Sequence, residues 1–376
     1  MDKNNCGKPQ FSGEWVRLGE LISKAKVARC GSADYPVLSM TMHDGIVEQS
    51  GRFKKAIAST DKSTYKVVNP GQLVVGFPID EGVLYVQNCG YSGIMSPAYN
   101  VWNIDADKVL PSYLELALHS PQSMNYYVSK IRGTTARRRS MPAETLCELP
   151  ISLPGHERQR NIVATLAHLK SQQDNAERQL ALLDTLVKSR FIEMFGDPNS
   201  KQCEAFIEDA FFIRDDLRKP LSGKERDAMK TGELYPYYGA NGKVDDINQF
   251  LTDCDALCFA EDCGSYGPGE PTAYVIRGKA WVNNHAHLLV AKCSHFLEYA
   301  RTYFTLLDIN RFISGTTRAK MTQAQLKKVN IEVPDQAMLR EFDGFVSNVD
   351  KLRFDVQQQI DKLELLKNSL MQEYFG

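Results

Sequence analysis

Met141–Gly196 reads MPAETLCELPISLPGHERQRNIVATLAHLKSQQDNAERQLALLDTLVKSRFIEMFG, and Met321–Gly376 reads MTQAQLKKVNIEVPDQAMLREFDGFVSNVDKLRFDVQQQIDKLELLKNSLMQEYFG. A shift of 180 residues, Met141 onto Met321, lays the first on the second without a gap. Identities include Met141/Met321, Leu146/Leu326, Ile151/Ile331, Pro154/Pro334, Arg160/Arg340, Leu183/Leu363 and Glu193/Glu373, and both copies close on Phe-Gly. Such self-similarity at a fixed offset means one structural unit used twice.

Each copy ends in a helix. After Pro154 the apolar residues are Ile162, Leu166, Leu169, Ala176, Leu180, Leu183 and Val187, in steps of three and four, with Gln173 at the missing position. The second copy gives Phe342, Val346, Val349, Val356, Ile360 and Leu363, with Arg353 at the gap, and Leu366 and Leu370 carry the stripe on. Sustained stripes with charged flanks predict a coiled-coil seam. Prolines are tolerated just before a helix, and Gly196 with Asp197-Pro198 stops the first one. At 1.5 Å per residue, Arg158 to Phe195 spans about 57 Å. Two such helices in one chain are most simply satisfied by packing antiparallel on each other, with a globular module at each end.

The modules read as α+β. The first has strand-like Pro36–Met40, Gln72–Gly76 and Gly82–Val86, divided by His43-Asp44-Gly45, Asn69-Pro70-Gly71 and Asp80-Glu81-Gly82, then a helical stretch near Ser112–Ile131. The second has Ala256–Ala260, Ala273–Ile276 and His287–Ala291, then helix near Leu297–Ile313. The predicted division is 1–155, a module; 156–196, a spacer helix; 197–334, a second module; and 335–376, a second spacer helix.

The chain has 376 residues, 43% apolar and 24% charged, with a net charge of −1. These values are ordinary for a soluble globular protein. No apolar run approaches the roughly 20 residues of a membrane span. The polar start MDKNNCGKPQFSGEW lacks a secretory h-region, so a cytoplasmic location is expected. Nine scattered cysteines argue against a disulfide framework. Cys254, Cys258, Cys263, His285, His287 and Cys293 invite a zinc reading, but no CxxC pair occurs, and no metal is expected.

Charge is informative only locally. Between Glu115 and Glu144 there is no acid, but there are Lys130, Arg132, Arg137, Arg138 and Arg139; between Asp308 and Glu332 there is none, but there are Arg311, Arg318, Lys320, Lys327 and Lys328. Each stretch surrounds a Gly-Thr-Thr, at Gly133-Thr134-Thr135 and Gly315-Thr316-Thr317. Cations release counterions from DNA, and Gly-Thr-Thr offers backbone and hydroxyl donors to phosphate.

Three patterns resemble the specificity (S) subunit of type I restriction-modification systems. One is Tyr235–Gly242 followed by Trp281–His287 and Ser314–Thr317. Another is Leu38–Thr41 with Tyr91–Tyr99. The third is a proline, a hydrophilic helix start and leucine heptads ending in Phe-Gly. The helix start reads Glu157-Arg158-Gln159 in the first copy but Ala337-Met338-Leu339 in the second. The resemblance implies two target recognition domains, each reading one half of a split site on double-stranded DNA. It also implies helices that dock two methyltransferase (M) subunits, through which restriction (R) subunits join. S-adenosylmethionine and ATP with magnesium would be bound by those partners and no cofactor by this chain.

Catalytic signatures are missing. Methyltransferases that act on adenine carry Asn/Asp-Pro-Pro-Tyr/Phe, whereas Ser96-Pro97-Ala98-Tyr99 and Tyr235-Pro236-Tyr237 lack the double proline. Gly264–Gly269 contains Pro268 and no helix follows, so it reads as a tight loop, and no Walker A occurs. A non-enzymatic chain is expected; a self-sufficient restriction-methylation enzyme and a coiled-coil scaffold are the competing readings. Base edges are read by polar side chains and by contact with thymine methyls. In the second module the candidates are Tyr237, Tyr238, Asn241, Asn283, Asn284, His285, His287, Thr316, Thr317, Arg318 and Lys320. In the first they are Tyr91, Ser92, Tyr99, Arg132, Thr134, Thr135, Arg137, Arg138 and Arg139.

Overall fold

A computed structural model describes residues 13–42, 44–49, 61–131, 139, 141–200, 204–262, 266, 269–313 and 319–376. The architecture is α+β. The chain divides into two compact units, one of residues 1–175 with 360–376, the other of 176–359. Each takes part of both long helices, which run His156–Phe195 and Gln336–Phe375.

In the first unit, strand Ile22–Lys24 pairs with Asn100–Ile104, which pairs with Leu73–Val75, which pairs with Leu84–Val86, all antiparallel. Smaller antiparallel pairs join Glu14–Arg17 to Pro150–Leu153, Leu38–Met40 to Ile46–Glu48, and Lys66–Val68 to Gly93–Met95. The helical stretch expected near Ser112–Ile131 is two helices, Pro111–Leu118 and Pro121–Lys130. Ser120 breaks it by capping the second, its Oγ accepting from the Ser123 N–H, with Pro121 at the first helical position.

The second unit holds two four-stranded sheets. One orders Phe211–Ile213, Ala286–Ala291, Ala256–Ala260 and Ala273–Ile276, all antiparallel. The other orders Gly242–Ile247, Tyr235–Gly239, Lys279–Val282 and Thr252–Asp253, with a parallel pairing of Tyr237 to Trp281. Helix Phe296–Leu306 follows the first sheet. It ends short of the expected Ile313, at Leu307, whose backbone is extended.

The repeat becomes a shared scaffold. Met141 and Met321, Leu146 and Leu326, and Ile151 and Ile331 are all buried, each in its own unit's core. Within the first unit Ile162, Leu166 and Leu169 of the first long helix pack with Leu363, Leu370, Met371 and Phe375 of the second. Within the second unit Val187, Phe191 and Phe195 pack with Leu339, Phe342, Val346 and Val349. In each unit the start of one helix meets the end of the other, so the pair runs antiparallel there. The helices also pack on the sheets and shorter helices of both cores.

Both Phe-Gly ends close in the same way. Gly196 (φ 78°) and Gly376 (φ 90°) are left-handed, and their N–H groups donate to the carbonyls of Ile192 and Gln372 at 2.8 and 3.0 Å. A side chain at either position would strain the backbone, which is why glycine ends both helices. The residues before them are exchanged between the units. Phe195, at the end of the first copy, lies 4.8 Å from Tyr299 in the second unit's core; Phe375 lies 5.4 Å from Tyr113 in the first unit's core.

The differing helix starts also acquire a physical meaning. Gln159 is fully buried: its Oε1 accepts from the Leu110 N–H at 2.8 Å, and its Nε2 donates to the Pro154 carbonyl at 2.8 Å. Its counterpart Leu339 is buried among apolar residues. A buried amide is stable only when its polar atoms are paired, and Gln159 meets that requirement where Leu339 does not face it.

Candidate nucleic-acid interface

In the second unit, strands Tyr235–Gly239 and Gly242–Ile247 form a hairpin closed by Ala240-Asn241. The Gly239 carbonyl accepts from the Tyr274 hydroxyl at 2.5 Å, and a Cβ there would lie 2.8 Å from the Val244 side chain, which would have to shift to admit one. The Asn283 N–H donates to the Tyr238 carbonyl at 3.0 Å, which seats the 283–285 turn beside the hairpin. Asn283 Oδ1 accepts from the His285 N–H at 2.8 Å, closing that turn on itself. Two segments about 40 residues apart in sequence are thus brought together.

A buried polar network holds the turn from behind. Asp215 accepts from His287 Nδ1 (2.7 Å), from the Gln323 amide (3.0 Å) and from the Leu288 N–H (3.2 Å), and pairs with Arg218 (3.0 Å). Arg218 also pairs with Glu261 (2.7 Å) and donates to the Ala286 carbonyl (3.0 Å). Glu261 in turn pairs with Lys320 (3.0 Å), and His287 Nε2 lies 2.9 Å from the Met321 carbonyl. Burial pushes the Asp215 carboxyl up, but the hydrogen bond from His287 and the nearby Arg218 outweigh it and hold the group below the usual carboxylate range. Glu261 is likewise pushed up by burial and brought lower by Arg218 and Lys320. Both are therefore fixed anions that orient cations.

The candidates fall into distinct groups. Tyr237 and His287 are each 1% exposed, so they support the site rather than line it, which corrects the expectation that they read bases. Strand alternation explains Tyr237: it points inward, its hydroxyl accepting from the Leu221 N–H at 3.0 Å, while Tyr238 takes the other face and stacks on Tyr274 at 5.6 Å. Asn241 and Asn284 are exposed at the hairpin tip and on the turn. Asn283 is buried beneath them, and His285 is partly exposed with Nδ1 2.6 Å from Asp262. Lys320 stands next to the turn, on the strand bridge with Asp262. Thr316, Thr317 and Arg318 lie outside the described residues.

In the first unit, Tyr91 is exposed and donates to Glu48 at 2.7 Å, a bond that pushes its phenol up to about 12. Ser92 Oγ donates to Asn69 at 2.7 Å. Arg139 is paired with Asp80 and Glu81 and so is neutralised locally, a second correction: the acids that meet it lie some 60 residues upstream. Arg132, Thr134, Thr135, Arg137 and Arg138 lie outside the described residues. Sequence reasoning missed Asp215, Arg218 and Glu261, whose partners lie far along the chain. Among the described residues no group of three or more His, Cys, Asp and Glu could hold a metal ion. Cys258 is wholly buried and its thiol is pushed up to about 12 by burial. No described helix is long and apolar enough to cross a membrane.

Residues 215–370, from the network's Asp215 into the second long helix, match the family described as type I restriction modification DNA specificity domain. The chain is similar to a putative type I restriction enzyme specificity subunit, S.HindORF215P, of Haemophilus influenzae: 28% identical over 138 residues, 36% of this chain and 34% of that one. It is also similar to the type I restriction enzyme MjaIX specificity subunit of Methanocaldococcus jannaschii, 21% identical over 305 residues, 71% of this chain and 69% of that one. The chain thus spans about a third of the length of the Haemophilus protein.

Two solved structures share the fold. The crystal structure of a type I restriction-modification S subunit from M. genitalium covers 100% of this chain and 98% of that one, with TM-score 0.57 and 15% identity. A chain from a study of complex assembly and conformational transition of the type I R-M system covers 98% and 99%, with TM-score 0.58 and 16% identity. The chain is thus HsdS-like: residues 215–370 match the specificity-domain family, and the chain as a whole shares the fold of a type I restriction-modification S subunit.

Proposed function

We propose that this chain reads DNA sequence for a type I restriction-modification complex. It binds double-stranded DNA through its two modules, docks two M subunits and, through them, R subunits, and leaves catalysis, S-adenosylmethionine and ATP with magnesium to those partners. The observation that carries this reading is a duplicated scaffold bearing different surfaces. The two helices are 40 residues each, with corresponding buried positions and the same Phe-Gly ends, yet the sheets of the two modules differ in strand number and order. Two unlike readers imply a target in two unlike parts, split and not palindromic. Asn241, Asn284 and Tyr91, which are exposed, and His285 and Ser92, which are partly exposed, are the polar side chains assigned to base edges, with Tyr238 and Asn283 shaping their platform. Direct readout by each is worth about 1–3 kcal/mol of discrimination.

The test is to map methylated bases in a host carrying this gene with its M partner. One split, asymmetric motif is expected, and exchanging residues 206–334 for those of a different specificity subunit should change only one half of it. A palindromic motif would refute the two-reader reading. Methylation by the purified chain alone, with S-adenosylmethionine and DNA, would refute its non-catalytic role.

A further inference from the structure

The sequence places the first module's phosphate contacts within residues 130–139, yet the described arginine there, Arg139, is paired with Asp80 and Glu81. A different set of cations is gathered by the sheet. Lys24 ends strand Ile22–Lys24, and the chain then crosses to the next strand pair: the Ala25 N–H donates to the Val101 carbonyl at 3.0 Å, the Val67 N–H to the Ala28 carbonyl at 2.9 Å, and Arg29 bridges Lys66. Lys24, Lys26 and Arg29 are exposed, whereas Lys66 is half-buried with its ammonium donating to the Tyr99 carbonyl. Among the described residues no carboxylate forms an ion pair with any of the four. The Lys66 ammonium is held below its ordinary range by burial first, then by the positive charges of Lys24 and Arg29.

This departs from a solvated basic face. On such a face cations spread and pair with acids; here backbone pairing sets Arg29 beside Lys66, Lys24 is close enough to act on the Lys66 charge, and Lys66 gives up solvation as well. The arrangement costs free energy in the unbound protein, and a polyanion would recover it. Ser92, assigned above to a base edge, bonds to Asn69 on the loop that leaves the strand of Lys66. At about 3.3 Å per residue, Lys66 and Asn69 are about 10 Å apart, so backbone and base contacts could fall on one short stretch of duplex.

We propose that Lys24, Arg29 and Lys66 form the phosphate clamp of the first module, gripping the backbone of double-stranded DNA next to the bases it reads. The proposal rests on the DNA-reading function above and adds residues that the acid-free stretches did not indicate. Phosphate contacts fix register and carry most of the salt dependence of affinity.

The experiment measures binding of the full chain to a random-sequence duplex across a salt series, for the wild type, for Lys24→Gln/Arg29→Gln, and for the control Lys362→Gln/Lys367→Gln. The control removes the same charge from exposed positions on the second long helix. Lys66 is left intact because its half-buried ammonium is part of the fold. Each lost phosphate contact lowers the slope of log K against log salt by about 0.9. The clamp predicts a drop of about 1.8 in the Lys24/Arg29 variant and none in the control. Wild-type binding with an unchanged slope in that variant, or an equal drop in the control, overturns the clamp while leaving the DNA-reading function standing. A wild-type chain without salt-dependent DNA binding overturns both.

Discussion

Phe375→Ala is expected to destabilise the first unit by about 3–5 kcal/mol, the usual cost of removing a buried aromatic ring from a core. Phe375 is 3% exposed and sits in the same core as Leu18, Tyr113, Leu114 and Leu166, 5.4 Å from the Tyr113 ring. Its sequence counterpart Phe195 should produce the same loss in the other unit. Phe195 contacts Phe191 (5.1 Å), Tyr299 (4.8 Å) and Phe342 (5.5 Å), and each aromatic pair adds about 0.5–1.5 kcal/mol beyond its buried area. Hydrogen exchange read unit by unit separates the two. Phe375→Ala should speed exchange in strands Leu73–Val75 and Asn100–Ile104 and leave Ala256–Ala260 protected; Phe195→Ala should do the reverse. If each substitution loosened the module that precedes it in sequence, the exchanged packing would be wrong.

The second large effect concerns Asp215. Replacing it by alanine takes the nearest carboxylate from His287 and one of two from Arg218, whose side chains are 1% and 13% exposed. Breaking a buried ionic partnership by removing one member costs about 3–5 kcal/mol, because the remaining charge keeps its desolvation penalty. The 283–285 turn should loosen too, since Arg218 donates to the Ala286 carbonyl behind it. Chemical denaturation should therefore show a lower midpoint for the second unit, and base discrimination in its half of the target should fall with it. Asp215→Asn, which keeps the shape, should recover part of the stability.

Acid acts on the same groups. Asp215 and Glu261 both have carboxyls held below their ordinary values of about 3.9 and 4.3. A carboxyl lowered in the folded state contributes stability that is fully present above its unfolded value and is lost as pH falls through the folded one. The second unit should hold its stability down to about pH 4 and lose it below that. The double variant Asp215→Asn/Glu261→Gln should be less stable near neutrality but lose less on acidification; an equal acid dependence would count against the network.

The scaffold was legible because it is written twice. Each buried pair, such as Ile151 with Ile331 or Leu166 with Val346, confirms in one copy what the spacing suggests in the other. The site was legible only in outline. The hairpin and the 283–285 turn could be singled out, but composition does not tell a tyrosine that points in from one that points out. Tyr237 and Tyr238 differ only by the alternation of a strand whose facing was unknown. The Asp215 network escaped because its members lie up to about 100 residues apart in sequence. The cations around Lys66 escaped for a related reason: Asp34, Asp44, Glu48 and Asp61 separate Arg29 from Lys66 along the chain, though no described carboxylate pairs with them in space.

The way the units share the chain also bears on synthesis. Residues 176–359 are continuous, whereas the first unit is assembled from segments on either side of them. On the ribosome the later unit can close its core first. The earlier one waits, with the surface around Tyr113 uncovered, until Phe375 emerges. Contacts of such long sequence separation form slowly, and uncovered apolar surface is what draws chaperones or misassembly. The module translated first is therefore the one completed last.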